Sequence, residues 1–426
     1  MGRPMRLAVF TNMFPSPSHV FFARDMRALI DAGIEIDVFA LYPLEPSFWA
    51  FNPEILGERV LPRTRLHHPE LGRALRATHP GRLLASPGFA SDAAAIAYSG
   101  LRCGPVSLAK TLYVVPLAWA WARQFGDRFD HVLSYWGGYP GTCAYLFHRF
   151  VGRDIPFSTF LHSRTDLYGP QALLRQKLLY ADTIISISEY NRRFLKEQYG
   201  KIFERIAPKI HVNYRGLDLG ELPYRPDGRL PHRVLAVGRL HKEKGHDYLL
   251  RAIAQLRGQG VEVELELLGD GPESKSLPAL ARRLGISDHV MFRGWLPFEG
   301  VREAMLRATL LANPSREDAL PTVVEEATAL GIPVVASNGQ GAPELLDQGR
   351  GGVLVPPGDV GALADAIAAL LASPALRRGY AERARQHAER TLDMWDNGVR
   401  LAETLRATRR AARPAHALAM GEEPVA

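Results

Sequence analysis

The stretch "TLLANPSREDALPTVVEEATALGIPVVAS", running from Thr309 to Ser337, reads as strand, loop, helix and strand. "TLLANPS" is a short apolar run closed by Pro-Ser, as expected of a strand buried in a sheet. Pro321 suits the first helical position, Gly331 suits the residue just past a helix, and Pro333 cannot continue one. The spacing therefore predicts a helix from Pro321 to Leu330. "IPVVAS" supplies the next strand. A strand–helix–strand unit of this kind builds a parallel sheet.

The same stretch holds two pairs of acids eight positions apart, Glu317 with Glu325 and Asp318 with Glu326. On a helix, Val323, Ala327 and Leu330 share one side and Glu326 lies on it, whereas Glu325 groups with Thr322, Thr328 and Ala329. An acid beside a buried stripe needs a partner, because an unpaired buried carboxylate is costly. The two hydroxyls of a ribose would be such a partner. Asp318 and Glu326 are thus read as the working pair, and Glu325 as solvated.

Outward from this unit the alternation continues. Before it come "RVLAVGRL", a helix around "HDYLLRAIAQLRGQG", "VELELLGDG", "SLPALARRLGI", "HVMFRGW" and "VREAMLRA"; after it comes "GGVLVPPGD". The Pro-rich segment Glu221–Arg233 precedes them and reads as an interdomain linker. The first half repeats the pattern: "RLAVFTNMF", a helix on "FFARDMRALIDAG" closed by Gly33, "IEIDVFAL", then "HVLSYWG", "PFSTFLHS", "ADTIISIS" and "KIHVNYRGL". The expected fold class is α/β, with two parallel-sheet domains in tandem at 1–225 and 226–390. A helix at 391–408 is expected to return to the first domain. Residues 43–110 read as an irregular helical insertion, and the tail 409–426 as disordered.

A chain of 426 residues with 46% apolar content suits two such domains. Two isolated cysteines, Cys103 and Cys143, exclude a disulfide framework and a thiolate metal site, and point to a reducing compartment. The start lacks the apolar core and cleavage site of a signal peptide, and the longest apolar run, Thr111–Ala122, falls short of a membrane span of ~20 residues. A cytoplasmic protein is expected, with peripheral contact to the inner face of the plasma membrane. Net charge is +7, and Met1–Gly220 holds 26 basic against 18 acidic residues, leaving 26 against 27 for the rest. A basic first half favours an anionic surface.

Ligands of open parallel sheets bind where strand ends meet helix N-termini. In "VGRLHKEKG", Gly238 closes a strand while Arg239 and Lys244 follow in the loop; a guanidinium fork and a compact ammonium both suit a diphosphate. "LLGDGP" and "FRGW" place Gly269 and Gly294 at two further strand ends, where a ligand can approach the backbone closely.

With these residues in view, the chain resembles retaining GT-B glycosyltransferases of the family 4 type, which include bacterial polysaccharide and lipid-linked glycan glycosyltransferases. Six stretches carry the resemblance in order: "FPSPSHVFF", "FLHSRTDLY", "SISEYNRRFL", "GRLHKEKG", "EDALPTVVEEA" and "GAPELLDQGRGGVLVPPGD". It implies two Rossmann-like domains facing a central cleft, the first for the acceptor and the second for the nucleotide sugar. By matching position, Arg239 and Lys244 grip the donor diphosphate and Glu326 binds the ribose. Gly238, Gly269, Gly294, Pro321 and Thr322 complete the donor side. Asp318, with Glu317 as fallback, contacts the transferred sugar, and His162 and Asp166 face that sugar from the first domain. Ser18, His19, Tyr135 and Trp136 fall on the acceptor side. There the chain departs from its relatives, with Ser18-His19 where many have Gly-Gly, and Leu133 and Tyr135 where relatives often have histidines.

The resemblance implies transfer of a hexose from a UDP- or GDP-linked sugar to a glycan or lipid-linked acceptor, with retention of configuration by front-face substitution. It implies no cofactor beyond the donor, no metal and no nucleic-acid partner. Two other readings fit the same motifs: an epimerase acting on a nucleotide sugar, and a non-catalytic nucleotide-sugar-binding subunit.

Overall fold

The computed structural model describes residues 3–14, 20–42, 63–78, 81, 83, 85, 89–152, 154–162, 166–167 and 172–408. Its contacts divide the chain into two units. Unit 1 comprises 1–187, 191–214 and 395–426, and unit 2 comprises 188–190 and 215–394.

In unit 1 the order is β1 (Met5–Thr11), α1 (Val20–Asp31), β2 (Ile34–Ala40), β3 (Thr64–His67), α2 (Leu71–Ala77), α3 (Phe89–Cys103), α4 (Pro105–Phe125), β4 (His131–Ser134), α5 (Tyr139–Val151), β5 (Phe157–Leu161), α6 (Leu174–Tyr180), β6 (Thr183–Ser186), α7 (Glu189–Gln198), α8 (Gly200–Ile206) and β7 (Ile210–Val212). The strands form one parallel sheet in the order β3-β2-β1-β4-β5-β6-β7. Strands β1, β4, β5 and β6 are buried almost throughout, which is why each reads as a continuous apolar run. The core centres on stacked and tilted aromatic rings: Phe10 lies 4.8 Å from Phe39 and 5.1 Å from Phe147, and Phe39 lies 5.2 Å from Trp121. Each such ring contributes about 1.5–3 kcal/mol by burial.

The described part of 43–110, read as an irregular helical insertion, is helical but also holds a strand. Thr64–His67 is the edge strand of the sheet, in register with β2, and α2, α3 and α4 are regular helices; residues 43–62 lie outside the described residues. A four-residue edge strand is too short to show an alternating pattern among its Pro and Arg neighbours. The apolar run from Thr111 to Ala122 lies within α4, mostly buried. Among the described residues no single helix is long and apolar enough to cross a membrane.

Unit 2 runs β8 (Arg233–Val237), α9 (His246–Gly258), β9 (Glu264–Leu268), α10 (Ser276–Arg283), β10 (Val290–Gly294), α11 (Phe298–Arg307), β11 (Leu310–Asn313), α12 (Thr322–Leu330), β12 (Val334–Ser337), α13 (Ala342–Leu345), β13 (Val353–Val355), α14 (Val360–Ala372) and α15 (Pro374–Thr391). The sheet is again parallel, ordered β10-β9-β8-β11-β12-β13. Helix α12 ends on Gly331 in the left-handed region (φ 75), and Pro321 serves as its N-cap rather than its first helical residue. The segment read as a linker packs on this unit: Arg229 donates to the carbonyls of Arg225 (2.7 Å), Gly331 (2.8 Å) and Ala308 (3.2 Å).

The last helix, α16 (Met394–Ala407), packs on unit 1. The Arg27 guanidinium lies 4.8 Å from the Trp395 ring, and Arg406 donates to the carbonyl of Ala32. The tail 409–426 lies outside the described residues.

Strand order reverses between β1 and β4 in unit 1 and between β8 and β11 in unit 2. At such switch points the loops after neighbouring strands diverge and open a crevice at the carboxyl edge.

Candidate functional site

The crevice of unit 2 lies between the loop after β8 and the loop after β11. Backbone contacts hold the strand-end loops of unit 2 together. The Gly238 amide donates to Leu268 O (3.0 Å), the Gly269 amide to Gly294 O (2.8 Å) and the Arg316 amide to Glu243 O (2.7 Å), the last joining the loops after β8 and β11. Two glycines are required by this closeness. A Cβ on Gly269 (φ 137) would stand 1.9 Å from Gly238 O, and one on Gly245 (φ 66) would stand 2.1 Å from Pro314 O.

Three cations of the crevice are paired with acids. Lys244 Nζ meets Asp318 Oδ2 at 2.5 Å, joining two motifs separated by 74 positions. Arg239, largely exposed, donates to Glu243 at 2.6 Å. Arg316 forks onto Asp247 at 2.9 and 2.8 Å and lies 3.8 Å from the Tyr248 ring, which pins the β11 loop to the first turn of α9. His246 opens that helix. Burial pushes its imidazole down to about 4. Pro321 and Thr322 start α12 beside this loop, and Glu326 lies half-buried on the helix.

The side of α12 expected to be polar is buried at Glu325, Thr328 and Ala329, and Val323 of the expected buried stripe is only half-buried. Glu325 is not solvated: it is 1% exposed and pairs with Arg215 at 3.2 Å, and Arg215 also donates to Leu320 O. The helix is covered on two sides. Val324 and Ala327 are buried, and Thr328 and Ala329 are buried as well, the second side being packed by α15, whose Arg385 donates to Ala329 O at 2.6 Å. A periodicity argument that allows only one buried stripe must leave one of the neighbouring acids outside.

In unit 1 the corresponding strand ends are those of β1, β4 and β5. His162, just past β5, is buried among Phe160 (4.5 Å), Tyr135 (4.6 Å), Trp136 (4.6 Å) and Phe21 (5.5 Å). Asp166 is equally buried, and its carboxylate accepts from the backbone amides of His162 (2.9 Å) and Gly138 (3.2 Å). Lys177 donates to Gly137 O (2.6 Å), Gly138 O (3.0 Å) and Thr142 Oγ1 (3.1 Å). Burial pushes the Asp166 carboxyl up to about 7 and the Lys177 ammonium down to about 7, while each charge favours the other. Asp166 therefore holds the backbone on which His162 is carried; its own oxygens are occupied.

Tyr135 is corrected from an acceptor contact to a core residue: it is fully buried and its hydroxyl donates to Asp25 at 2.5 Å. Trp136 donates to Thr11 Oγ1 at 3.2 Å. Ser18 and His19 lie outside the described residues. The sequence reading missed Arg215 and Lys177, each of which meets its partners far along the chain, where no spacing rule applies. Among the described residues no three His, Cys, Asp or Glu side chains group as a metal site would require.

Residues 230–387 match the family described as glycosyl transferases group 1. Over nearly its whole length the chain also superposes on solved GT-B structures. Sucrose-phosphate synthase from Thermosynechococcus elongatus has a TM-score of 0.72 at 19% identity, covering 94% of this chain and 98% of that one. Anabaena HepE in complex with UDP has a TM-score of 0.67 at 19% identity, covering 95% and 100%. The chain has the GT-B fold, and its residues 230–387 are similar to the glycosyl transferases of group 1. Among curated relatives, this GT-B chain is 32% identical over 54% of its length to the GDP-mannose-dependent alpha-(1-6)-phosphatidylinositol monomannoside mannosyltransferase of Mycolicibacterium smegmatis. It spans 64% of that relative, and only 23% of an exopolysaccharide phosphotransferase of Streptomyces coelicolor. It is 26% identical over 86% of its length to the colanic acid biosynthesis glycosyltransferase WcaL of Escherichia coli, described as putative, and spans 90% of it.

Proposed function

We propose that the chain transfers a hexose from a UDP- or GDP-linked sugar to a hydroxyl of a glycan or lipid-linked acceptor, with retention of configuration and without a metal ion. The observation that carries this reading is the 2.5 Å contact between Lys244 and Asp318 at the switch point of unit 2. A phosphate-binding cation and a sugar-binding acid must be neighbours if one ligand is to touch both, as a sugar diphosphate does. Two relatives support the donor class by name: one uses GDP-mannose, and the other was crystallised with UDP.

In this reading Arg239, Lys244 and the positive end of the α12 dipole stabilise the leaving diphosphate, and Glu326 accepts from the ribose hydroxyls. Asp318, released from Lys244 by the phosphate, turns to the hydroxyls of the sugar. The departing phosphate oxygen takes the proton of the attacking hydroxyl on the same face, so configuration is kept. His162 is assigned to the hydroxyls of the transferred sugar, and Asp166 to fixing the His162 backbone.

A thermal-unfolding screen against UDP-, GDP- and ADP-sugars tests the donor class, since a ligand at 100 times its Kd stabilises by about 2.7 kcal/mol. The preferred donor should then be consumed in the presence of EDTA, with NMR showing an unchanged anomeric configuration in the product. A chain stabilised by none of the donors, or one whose product is inverted, contradicts the reading.

A further inference from the structure

Among the described residues, six of the eleven exposed large apolar side chains lie on three consecutive helices of unit 1. They are Leu71 and Leu75 on α2, Tyr98 and Leu101 on α3, and Val106 and Leu112 on α4. Leu101 is 76% exposed, Val106 67%, Tyr98 59% and Leu112 54%. Single apolar residues at a surface need no explanation, but a cluster of them does.

On α3 and α4 the exposed residues gather on one side of each helix, around the corner where the two meet. On α3, Ala94, Ala97, Tyr98, Leu101 and Arg102 recur at helical spacing and are all exposed; on α4, Pro105, Val106, Ala109, Lys110 and Leu112 are exposed while Thr111, Val114, Leu117, Ala118 and Trp121 fill the core. The two helices pack on each other and meet at Gly104, whose φ of 89 turns a sharp corner. Arg102 donates to the Tyr98 hydroxyl at 3.5 Å, so the aromatic ring and the cation sit side by side.

Charge decides what covers this face. Helices α2, α3 and α4 carry Arg73, Arg76, Arg102, Lys110 and Arg123 against Asp92, while Glu70 at the N-cap of α2 pairs with Arg73 at 3.2 Å; on α3 and α4 alone Arg102, Lys110 and Arg123 face a single acid. Asp92 is buried, paired to Arg149 at 3.0 Å and bonded to the Tyr145 hydroxyl at 2.6 Å, and does not face outward. A second copy of the chain would bring cation against cation. An anionic lipid surface complements all three features: apolar side chains for the acyl boundary, an aromatic ring for the headgroup level, and cations for the phosphates.

We propose that the corner between α3 and α4 docks the chain on an anionic bilayer, with Leu101, Val106 and Leu112 entering the interface and Arg102 and Lys110 meeting lipid phosphates. The inference supplies a membrane partner for the proposed transferase and rests on that reading for its purpose. It extends the basic bias of the first half to a particular face.

Flotation of the full chain with vesicles of phosphatidylcholine, with and without a one-quarter share of phosphatidylglycerol, tests it. Binding is expected only with phosphatidylglycerol, and it should weaken as salt is raised. The Arg102→Gln/Lys110→Gln variant should lose roughly fivefold in partitioning per cation removed. The Leu101→Glu/Val106→Glu variant should lose binding altogether, and because these side chains are exposed its unfolding temperature should match the wild type. Nucleotide-sugar binding, measured on the same samples, should be unaltered in both variants, so loss of docking and failure of the transferase reading are separately visible. Equal binding of wild type and Leu101→Glu/Val106→Glu to anionic vesicles overturns the proposal. So does concentration-dependent dimer formation that these substitutions abolish.

Discussion

Two regions of this chain hold their positive charge in opposite ways. In unit 2 four cations in and beneath the crevice meet acids: Lys244 with Asp318, Arg239 with Glu243, Arg316 with Asp247 and Arg215 with Glu325. On the outer face of α3 and α4 in unit 1, Arg102 and Lys110 share their helices with only one acid, and that acid is buried. The first arrangement works by contact and gives geometry; the second works through its field and gives attraction. Contact pairs that are shielded from water respond little to salt, whereas exposed cations respond strongly.

The largest expected effect comes from breaking the deepest contact. Arg215→Met leaves the Glu325 carboxylate buried without its ion pair and should lower the unfolding free energy by about 3–5 kcal/mol, as read by urea denaturation. Combining it with Glu325→Leu should restore much of that loss. If the single variant is as stable as the wild type at low and high salt, the distinction between contact and field fails for unit 2.

A smaller effect is shared by both units. Burial pushes His131 in unit 1 down to about 3 and His246 in unit 2 down to about 4, so both stay neutral in the fold while their unfolded counterparts protonate below about 6.5. Their folded pKa is depressed, so the unfolded state takes up the extra protons. Stability is full above pH 6.5 and is lost as pH falls, by roughly 1.5 kcal/mol from each group between pH 6.5 and 5. His246→Gln should remove that ring's own share of the loss, about 1.5 kcal/mol between pH 6.5 and 5. An unchanged slope in His246→Gln would show that this ring titrates normally.

The smallest effect sharpens the comparison within the crevice itself. Asp318→Asn removes the acid that neutralises Lys244, so a nucleoside diphosphate should bind roughly fivefold more tightly, while transfer of the sugar falls. Calorimetry and an activity assay separate the two. Weaker diphosphate binding in Asp318→Asn would mean that the acid orients Lys244 and does not compete for it.

Much of unit 2 was legible in the sequence because its strands are short apolar runs ending on glycine, and Gly269 and Gly245 occupy places where a Cβ would strike a neighbouring carbonyl. The loops that bear Arg239, Lys244 and Asp318 follow from the strands, and the parallel sheet brings them together. What was not legible has physical causes. Helix α12 is buried on two sides, so a single-stripe reading misplaced Glu325. Strand β3 is a four-residue edge strand without an alternating pattern. Arg215 and Glu325 are 110 positions apart, and Lys177 reaches Gly137 across 40. Such pairings are decided by tertiary packing. Tyr135 looked like a surface aromatic at a strand end because nothing in sequence links it to Asp25, its partner 110 positions earlier.

In the proposed reading the paired cations of unit 2 hold a diphosphate. Calorimetric titration of the full chain with UDP and GDP, beside the Arg239→Ala/Lys244→Ala and Glu326→Gln variants, tests it most directly. One of the two nucleotides should bind the wild type. The double variant should lose at least about a hundredfold in affinity through the missing charge-assisted contacts, with an unchanged unfolding temperature, and Glu326→Gln should bind more weakly than wild type. Wild-type affinity in a folded Arg239→Ala/Lys244→Ala variant, or no binding of either nucleotide to the wild type, would contradict the account.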